Sequence, residues 1–233
     1  RTYSFQVLHG LYKSTGTNQP GGSGCGPAAS NMTYDANGNV KTRTDFNGNT
    51  TWYDYDLSRN LETVRIEAYA TPLARTINTA WHPNFRLPTV ITEPGRVTEM
   101  SYDPASGNLL TKKITSTADA KARQWIYTYT GAGDNTLPNL LKTVDGPRTD
   151  VSDITAYSYY PNGDLQSVTN ALGHPTQITS YDPHGRPLSI VDPNTLNTTL
   201  SYWPRGWLKS RSVGAETTYY DYDSVGQIKK VTL

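Results

Sequence analysis

Apolar and polar residues alternate in short runs along this chain, and each run is bounded by Asp, Asn, Pro or Gly. Residues 40–44 and 50–55 are typical: rich in Thr, Val and Tyr, with a period of two, which is the template of a half-buried strand. The runs come in pairs, and the pairs recur. Tyr34, Tyr55, Trp81, Tyr102, Tyr159, Tyr181, Tyr202 and Tyr222 each lead a phrase that reads aromatic-Asp-x-x-Gly-x-Leu in its fullest form. The steps between leading aromatics are 21, 26 and 21, then 27 and 30 around a weakly marked unit at Tyr129, then 22, 21 and 20. A fixed period of this length predicts a repeat architecture, in which each unit buries its apolar face only against its neighbours.

Each unit carries two turns. The first holds a glycine in six units, Gly38, Gly107, Gly163, Gly185, Gly206 and Gly226, with Arg59 and Phe85 in its place in two others. An apolar residue follows: Val40, Leu61, Leu87, Leu109, Leu165, Leu188, Leu208 or Ile228. The second turn lies near mid-unit, at Asp45-Phe46-Asn47-Gly48, Glu93-Pro94-Gly95, Asn170-Ala171-Leu172-Gly173 and Asp192-Pro193-Asn194. Two turns in about 21 residues make every unit a β-hairpin, and consecutive hairpins continue one antiparallel meander. Leu57, Leu61, Val64 and Ala68 also fit a helical stripe, but the repeat register places them in a strand slot. Residues 116–124 lengthen one unit and have room for a turn of helix. Residues 130–138 and 147–153 lengthen another. The Gly/Ser/Pro-rich residues 15–30 read as a long mobile loop. The expected division is therefore residues 1–31 as an incomplete first repeat with that loop, and 32–233 as eight to nine tandem hairpins.

The repeated phrases resemble the YD repeats of the RHS family, shared by bacterial RHS and cell-wall-associated toxins, toxin-complex cocoon proteins and animal teneurins. Tyr34-Asp35-Ala36-Asn37-Gly38-Asn39-Val40 and Tyr181-Asp182-Pro183-His184-Gly185-Arg186-Pro187-Leu188 carry the likeness, which extends over residues 32–233. The resemblance implies an all-β fold in which tandem hairpins form a curved, spiralling antiparallel sheet, a segment of a hollow shell around a C-terminal toxin. Nine hairpins supply about 18 strands, which at ~4.8 Å each make one band of wall roughly 85 Å wide. The implied partners are the remaining repeats and the enclosed toxin of a larger exported protein. The self-cleaving plug motif of many bacterial members has no counterpart: Asp182-Pro183-His184-Gly185 sits in repeat register and more repeats follow it.

Composition narrows the function classes. The formal net charge is +1, from 21 basic and 20 acidic residues with no like-charge block, so nothing marks a nucleic-acid surface. Seventeen Tyr and five Trp against three Phe suit pleated surfaces where a ring packs and its polar atom still reaches a partner. No stretch is apolar for long enough to read as a membrane-spanning helix. Arg1 opens a polar segment without a signal-peptide pattern, so the chain reads as an interior piece of a longer secreted or extracellular protein whose export signal lies elsewhere.

Candidate chemistry is sparse. Asp35-x-Asn37-x-Asn39 begins like a calcium loop, but Val40 and Phe46 stand where Gly and Glu are required. Cys25 lies in a glycine-rich run without catalytic context, and a single cysteine forms no intrachain disulfide. His9, His82, His174 and His184 share no ligand spacing. Tyr53-Asp54-Tyr55-Asp56 recurs as Tyr220-Asp221-Tyr222-Asp223 at the same place in the repeat, which fits hairpin closure better than paired-acid catalysis. The expectation is a non-catalytic structural protein with no cofactor and no metal. Its working residues are the eight leading aromatics as a packing spine and the six glycines as turn formers. The alternative is an adhesion or carbohydrate-binding module, its aromatics facing cell-surface glycans.

Overall fold

Alternation dictates strands, and strands are what the chain forms. A computed structural model describes residues 1–24 and 26–233, so Cys25 lies outside the described residues. No helix occurs among the described residues. The chain divides into two compact units, Arg1–Arg123 and Gln124–Leu233.

The first unit is an antiparallel meander of ten strands, each paired with the next. In chain order these are β1 (Thr2–Leu8), β2 (Leu11–Gln19), β3 (Ala28–Tyr34), β4 (Val40–Thr44), β5 (Thr50–Asp56), β6 (Leu61–Glu67), β7 (Arg75–Trp81), β8 (Pro88–Glu93), β9 (Arg96–Tyr102) and β10 (Leu109–Ser116). The second unit continues the pattern with β11 (Ala122–Tyr129, starting two residues before the boundary), β12 (Leu141–Asp145), β13 (Thr155–Tyr159), β14 (Leu165–Thr169) and β15 (Pro175–Tyr181). It ends with β16 (Pro187–Val191), β17 (Asn197–Tyr202), β18 (Leu208–Val213), β19 (Glu216–Tyr222) and β20 (Ile228–Thr232), again each paired with the next.

Two expectations change. Residues 15–30, read as a loop, are strand at both ends, so residues 1–31 contain a complete hairpin, β1–β2, turned by His9 and Gly10 at φ 51° and 77°. Gly16 misled the reading. It lies within β2, and a Cβ there would stand 2.6 Å from the Ser30 carbonyl, so the glycine permits close approach of β3. Residues 116–124 hold no helical turn: β10 passes through a tight turn into β11, with the Ser116 amide donating to the Lys121 carbonyl at 2.9 Å.

Very little is fully buried. Leu61 and Ile77 are the only hydrophobic side chains in that state among the described residues. The accessible surface is 15023 Å². A compact protein of this mass exposes about 10,400 Å², and two separate compact halves about 12,600 Å². The sheet therefore leaves its faces half-covered, and the fold relies on what joins strand to strand more than on a core.

The turns carry the backbone strain. The six glycines of the first turn all adopt positive φ, from 75° to 91°. At Gly163 and Gly226 the constraint is double: φ is 91° and 90°, and a Cβ would meet Leu137 Cδ1 and Trp207 Cζ2, each at 2.8 Å. Each glycine is thus a seat for a side chain from the preceding hairpin connection. Gly163→Val and Gly226→Val are each expected to destabilise the chain by about 2 kcal/mol or more. Cys25→Ser serves as the reference with little change. Thermal melts of the three variants test this, and equal midpoints would remove the turn assignment.

Candidate functional site

The eight leading aromatics lie at one recurrent place, the ends of strands β3, β5, β7, β9, β13, β15, β17 and β19. Seven of them do the same thing with their polar atom. The hydroxyl of Tyr34 donates to the Ser14 carbonyl at 2.6 Å, Tyr55 to Val40 at 2.9 Å, and Tyr102 to Pro88 at 2.8 Å. Tyr159 donates to Leu141 at 2.7 Å, Tyr181 to Leu165 at 2.6 Å and Tyr202 to Pro187 at 3.0 Å. Trp81, the substituted member, uses its indole N–H on the Glu62 carbonyl at 2.7 Å.

The acceptors are not arbitrary. In each case the carbonyl lies two residues beyond the last residue of the preceding strand that pairs with the aromatic's own strand. For Tyr55 that last pair is Thr42↔Trp52, and the acceptor is Val40. For Tyr181 it is Ser167↔Gln177, and the acceptor is Leu165. The same offset holds from Gly16 to Ser14, Val64 to Glu62, Val90 to Pro88, Thr143 to Leu141 and Ser189 to Pro187. The backbone ladder between successive hairpins stops short, and the aromatic side chain supplies the donor that the backbone no longer brings. Tyr222 is the exception. Its ring packs on Trp207, centroids 5.2 Å apart, and its hydroxyl reaches no carbonyl among the described residues.

Within each hairpin the aromatic is preceded by a register shift. Thr33 pairs with Thr42 but Tyr34 with Val40, so Lys41 is the extra residue of a β-bulge. Thr63, Thr89, Leu110, Gln166 and Lys209 occupy the same position in their hairpins. Bulges bend a strand and increase its local twist. Across the bulge the residue paired with the aromatic is Glu62, Pro88 and Pro187 in three units, and Leu188 is itself the extra residue of its hairpin. Just inside the bulge, hydroxyls join across the hairpin at 2.6–2.7 Å in Thr33–Thr42, Ser101–Thr111, Thr128–Thr143, Ser158–Ser167 and Ser201–Ser210. Alternation puts these pairs on the face opposite the aromatics.

Asp at the position after the aromatic caps the turn. Asp35 Oδ1 accepts from the amides of Asn37 and Asn39 at 2.9 and 2.8 Å, and Asp182 Oδ1 from His184 and Arg186 at 2.9 and 3.0 Å. Asp45 caps a second-type turn in the same way. In two units the Asp is replaced by an aromatic followed by proline, Tyr160-Pro161 and Trp203-Pro204. Their polar atoms reach forward, Tyr160 to the Ile178 carbonyl at 2.9 Å and Trp203 to that of Tyr220 at 3.2 Å. These hairpins are held from both sides. The sequence reading missed this second tie, although the doubled aromatics Tyr159-Tyr160 and Tyr202-Trp203 are its visible signal.

No group of three or more His, Cys, Asp or Glu close enough to hold a metal ion occurs among the described residues. No helix of the described residues is long and apolar enough to cross a membrane.

Ionisation follows the bonding. Burial, with Glu62 and Tyr53 nearby, pushes the Tyr55 hydroxyl up to about 12, and burial raises Tyr102, Tyr159 and Tyr181 as well. A raised acid contributes stability that is intact below the ordinary tyrosine range near 10 and is lost as pH rises through the folded value. Spectrophotometric titration is therefore expected to show a set of tyrosines ionising above the ordinary tyrosine range, together with unfolding. A single step near pH 10 with the fold intact would contradict the bonding. At acid pH the turn caps act oppositely. The Asn49 side chain and amide hold the Asp45 carboxyl below its usual range, the Ser58 hydroxyl does so for Asp56, and the Arg186 guanidinium for Asp182. Their contribution is intact above about pH 4 and disappears as pH falls through the lowered values. Melting temperature is expected to drop between pH 4 and 2, and less steeply in Asp45→Asn, which keeps its acceptor oxygen.

Known proteins share both the repeat and the fold. Residues 159–198 match the RHS repeat family, a span that runs from the last residue of β13 to the start of β17 and holds two of the ties above. Similar solved structures include the crystal structure of TcdB2-TccC3-Cdc42, with TM-score 0.72 and 15% identity over 98% of this chain and 12% of that one. Another is TcdB2-TccC3 without its hypervariable C-terminal region, with TM-score 0.68 and 15% identity over 88% of this chain and 11% of that one. The Photorhabdus luminescens Tc holotoxin pore with a substituted TccC3 gives the same values. This chain spans about an eighth of the solved chains it resembles. No curated protein sequence matches it. Residues 159–198 are thus similar to the RHS repeat, and the same aromatic, bulge and turn recur in register along the rest of the chain.

Proposed function

We propose that this chain is a non-catalytic wall segment of an RHS-repeat shell that encloses a toxin or effector cargo of a larger, exported protein. The observation that carries this reading is a sheet built strand by strand with only two fully buried hydrophobic side chains among the described residues. A sheet of that kind suits a partition. The leading aromatics Tyr34, Tyr55, Trp81, Tyr102, Tyr159, Tyr181, Tyr202 and Tyr222 are its working residues, since all but the last fasten one hairpin to the strand before it. The glycines Gly38, Gly107, Gly163, Gly185, Gly206 and Gly226 set the turns. Fastening by short side-chain ties repeats without limit, so hairpins add to a wall without needing a core of their own.

The partners on this reading are further repeats and the enclosed cargo. β1 presents Tyr3, Phe5 and Val7, and β20 presents Ile228 and Val231, all more than half exposed. Such strands suit pairing with additional hairpins of the same kind. One solved chain of similar fold comes from a Tc holotoxin pore, which supports an extracellular destination. An electron-microscopy reconstruction of the parent protein tests the proposal. A hollow shell with this segment in its wall and density inside is expected. A solid or open β-structure with an empty lumen would overturn it.

A further inference from the structure

One ionisable exception stands in the series of capped turns. In five of the eight units the residue after the leading aromatic is Asp35, Asp56, Asp103, Asp182 or Asp223, and its Oδ1 accepts from the amide two residues on at 2.9–3.0 Å. In the β7–β8 turn that residue is His82. Its Nδ1 accepts from the amides of Asn84 and Phe85, each at 3.2 Å. The ring is held in place, packed on Phe85 with centroids 4.9 Å apart and edge-on to Tyr102 at 6.4 Å.

The two kinds of cap part company with pH. A carboxylate keeps its acceptor oxygens down to about pH 4, whereas a ring nitrogen accepts only while the imidazole is neutral. An imidazolium carries a proton on both nitrogens, and histidines as a class change state between about pH 5 and 8. A cap that requires the neutral ring contributes in full above that range and is lost as pH falls through it.

A clamp between hairpins hangs on this cap. The β5–β6 and β7–β8 turns have Arg59 and Phe85 in place of the first-turn glycine, and they grip each other. Arg59 donates through Nη1 to the His82 carbonyl at 2.7 Å and through Nη2 to the Phe85 carbonyl at 2.8 Å. Arg86 returns the contact, Nη1 to the Arg59 carbonyl at 3.0 Å and Nη2 to that of Asn60 at 3.1 Å. Phe85 is thus held at its amide by His82 and at its carbonyl by Arg59. Among the described residues His82 forms no ion pair. Arg59 and Arg86 carry the sign an imidazolium would have. On the neighbouring turns, Asp56 is engaged by Ser58, and Asp103 by Ala105 and Ser106. Glu62, at the start of β6, faces Arg65 at 3.7 Å.

We propose that His82 is an acid-sensitive latch. Protonation of its ring withdraws the cap of the β7–β8 turn, frees the Phe85 amide and loosens the Arg59–Arg86 clamp. The seam between the β5–β6 and β7–β8 hairpins then opens at a pH where the Asp-capped turns stay closed. The latch stands independently of the wall reading.

The test is hydrogen exchange on the 233-residue chain at about pH 7.5 and about pH 5, corrected for intrinsic rates, in wild type and His82→Asp. In wild type, protection of the Asn84 and Phe85 amides is expected to fall roughly fivefold at the lower pH, while Asn37 and His184, under Asp caps, keep theirs. His82→Asp is expected to hold protection at both pH values. NMR of the wild-type chain supplies a readout that does not need the variant to fold: the Asn84 and Phe85 amide resonances are expected to titrate in step with the His82 ring. Unchanged protection of those two amides at the lower pH would overturn the latch, and so would amides that fail to follow the ring. An equal acid loss in folded His82→Asp would also overturn it, by placing the sensitive group elsewhere.

Discussion

One hydrogen bond, repeated, holds this protein in register: an aromatic side chain at the end of one hairpin donates to a backbone carbonyl on the strand before it. The backbone ladder alone does not connect hairpin to hairpin over its full length, because a bulge shifts the second strand of each hairpin by one residue near the turn. The carbonyl left two positions past the last backbone pair needs a donor. Tyrosine and tryptophan reach it and cover the gap with a ring at the same time. Phenylalanine cannot do this, which gives a physical reason for seventeen tyrosines and three phenylalanines.

The same device explains how so exposed a structure stays folded. Hydrophobic burial supplies most of the stability of compact domains, but here it is thin, with only Leu61 and Ile77 fully buried among the described residues. Stability is distributed instead over many small local terms: half-buried rings, hydroxyl pairs across five of the hairpins, and carboxylates that cap turns. Each is small, and none depends on a distant element. That independence is what permits repetition. It also lets single positions drift in chemistry without loss of the fold, as where Tyr160 and Trp203 replace a capping Asp and tie forward.

The strands and their hairpin order were legible because two signals, alternation and turn residues, agreed at a fixed period. The leading aromatics were legible for the same reason. Their acceptors were not, since the offset comes from a bulge whose extra residue is Lys41 in one unit, Thr63 in another and Leu188 in a third, with no common side chain. The β1–β2 hairpin was hidden by Gly16 and by the glycine-rich residues after it.

Native-state hydrogen exchange on Tyr181→Phe compared with the wild-type chain tests the central claim most directly. The substitution keeps the ring and removes only the donor to Leu165. The account predicts that amide protection falls roughly fivefold, corresponding to about 1 kcal/mol, in β14 and β15 and is unchanged in β3 to β8. Unaltered protection in β14 and β15 would show that ring packing alone sets the register, and that the hydrogen bond at the heart of this description is incidental.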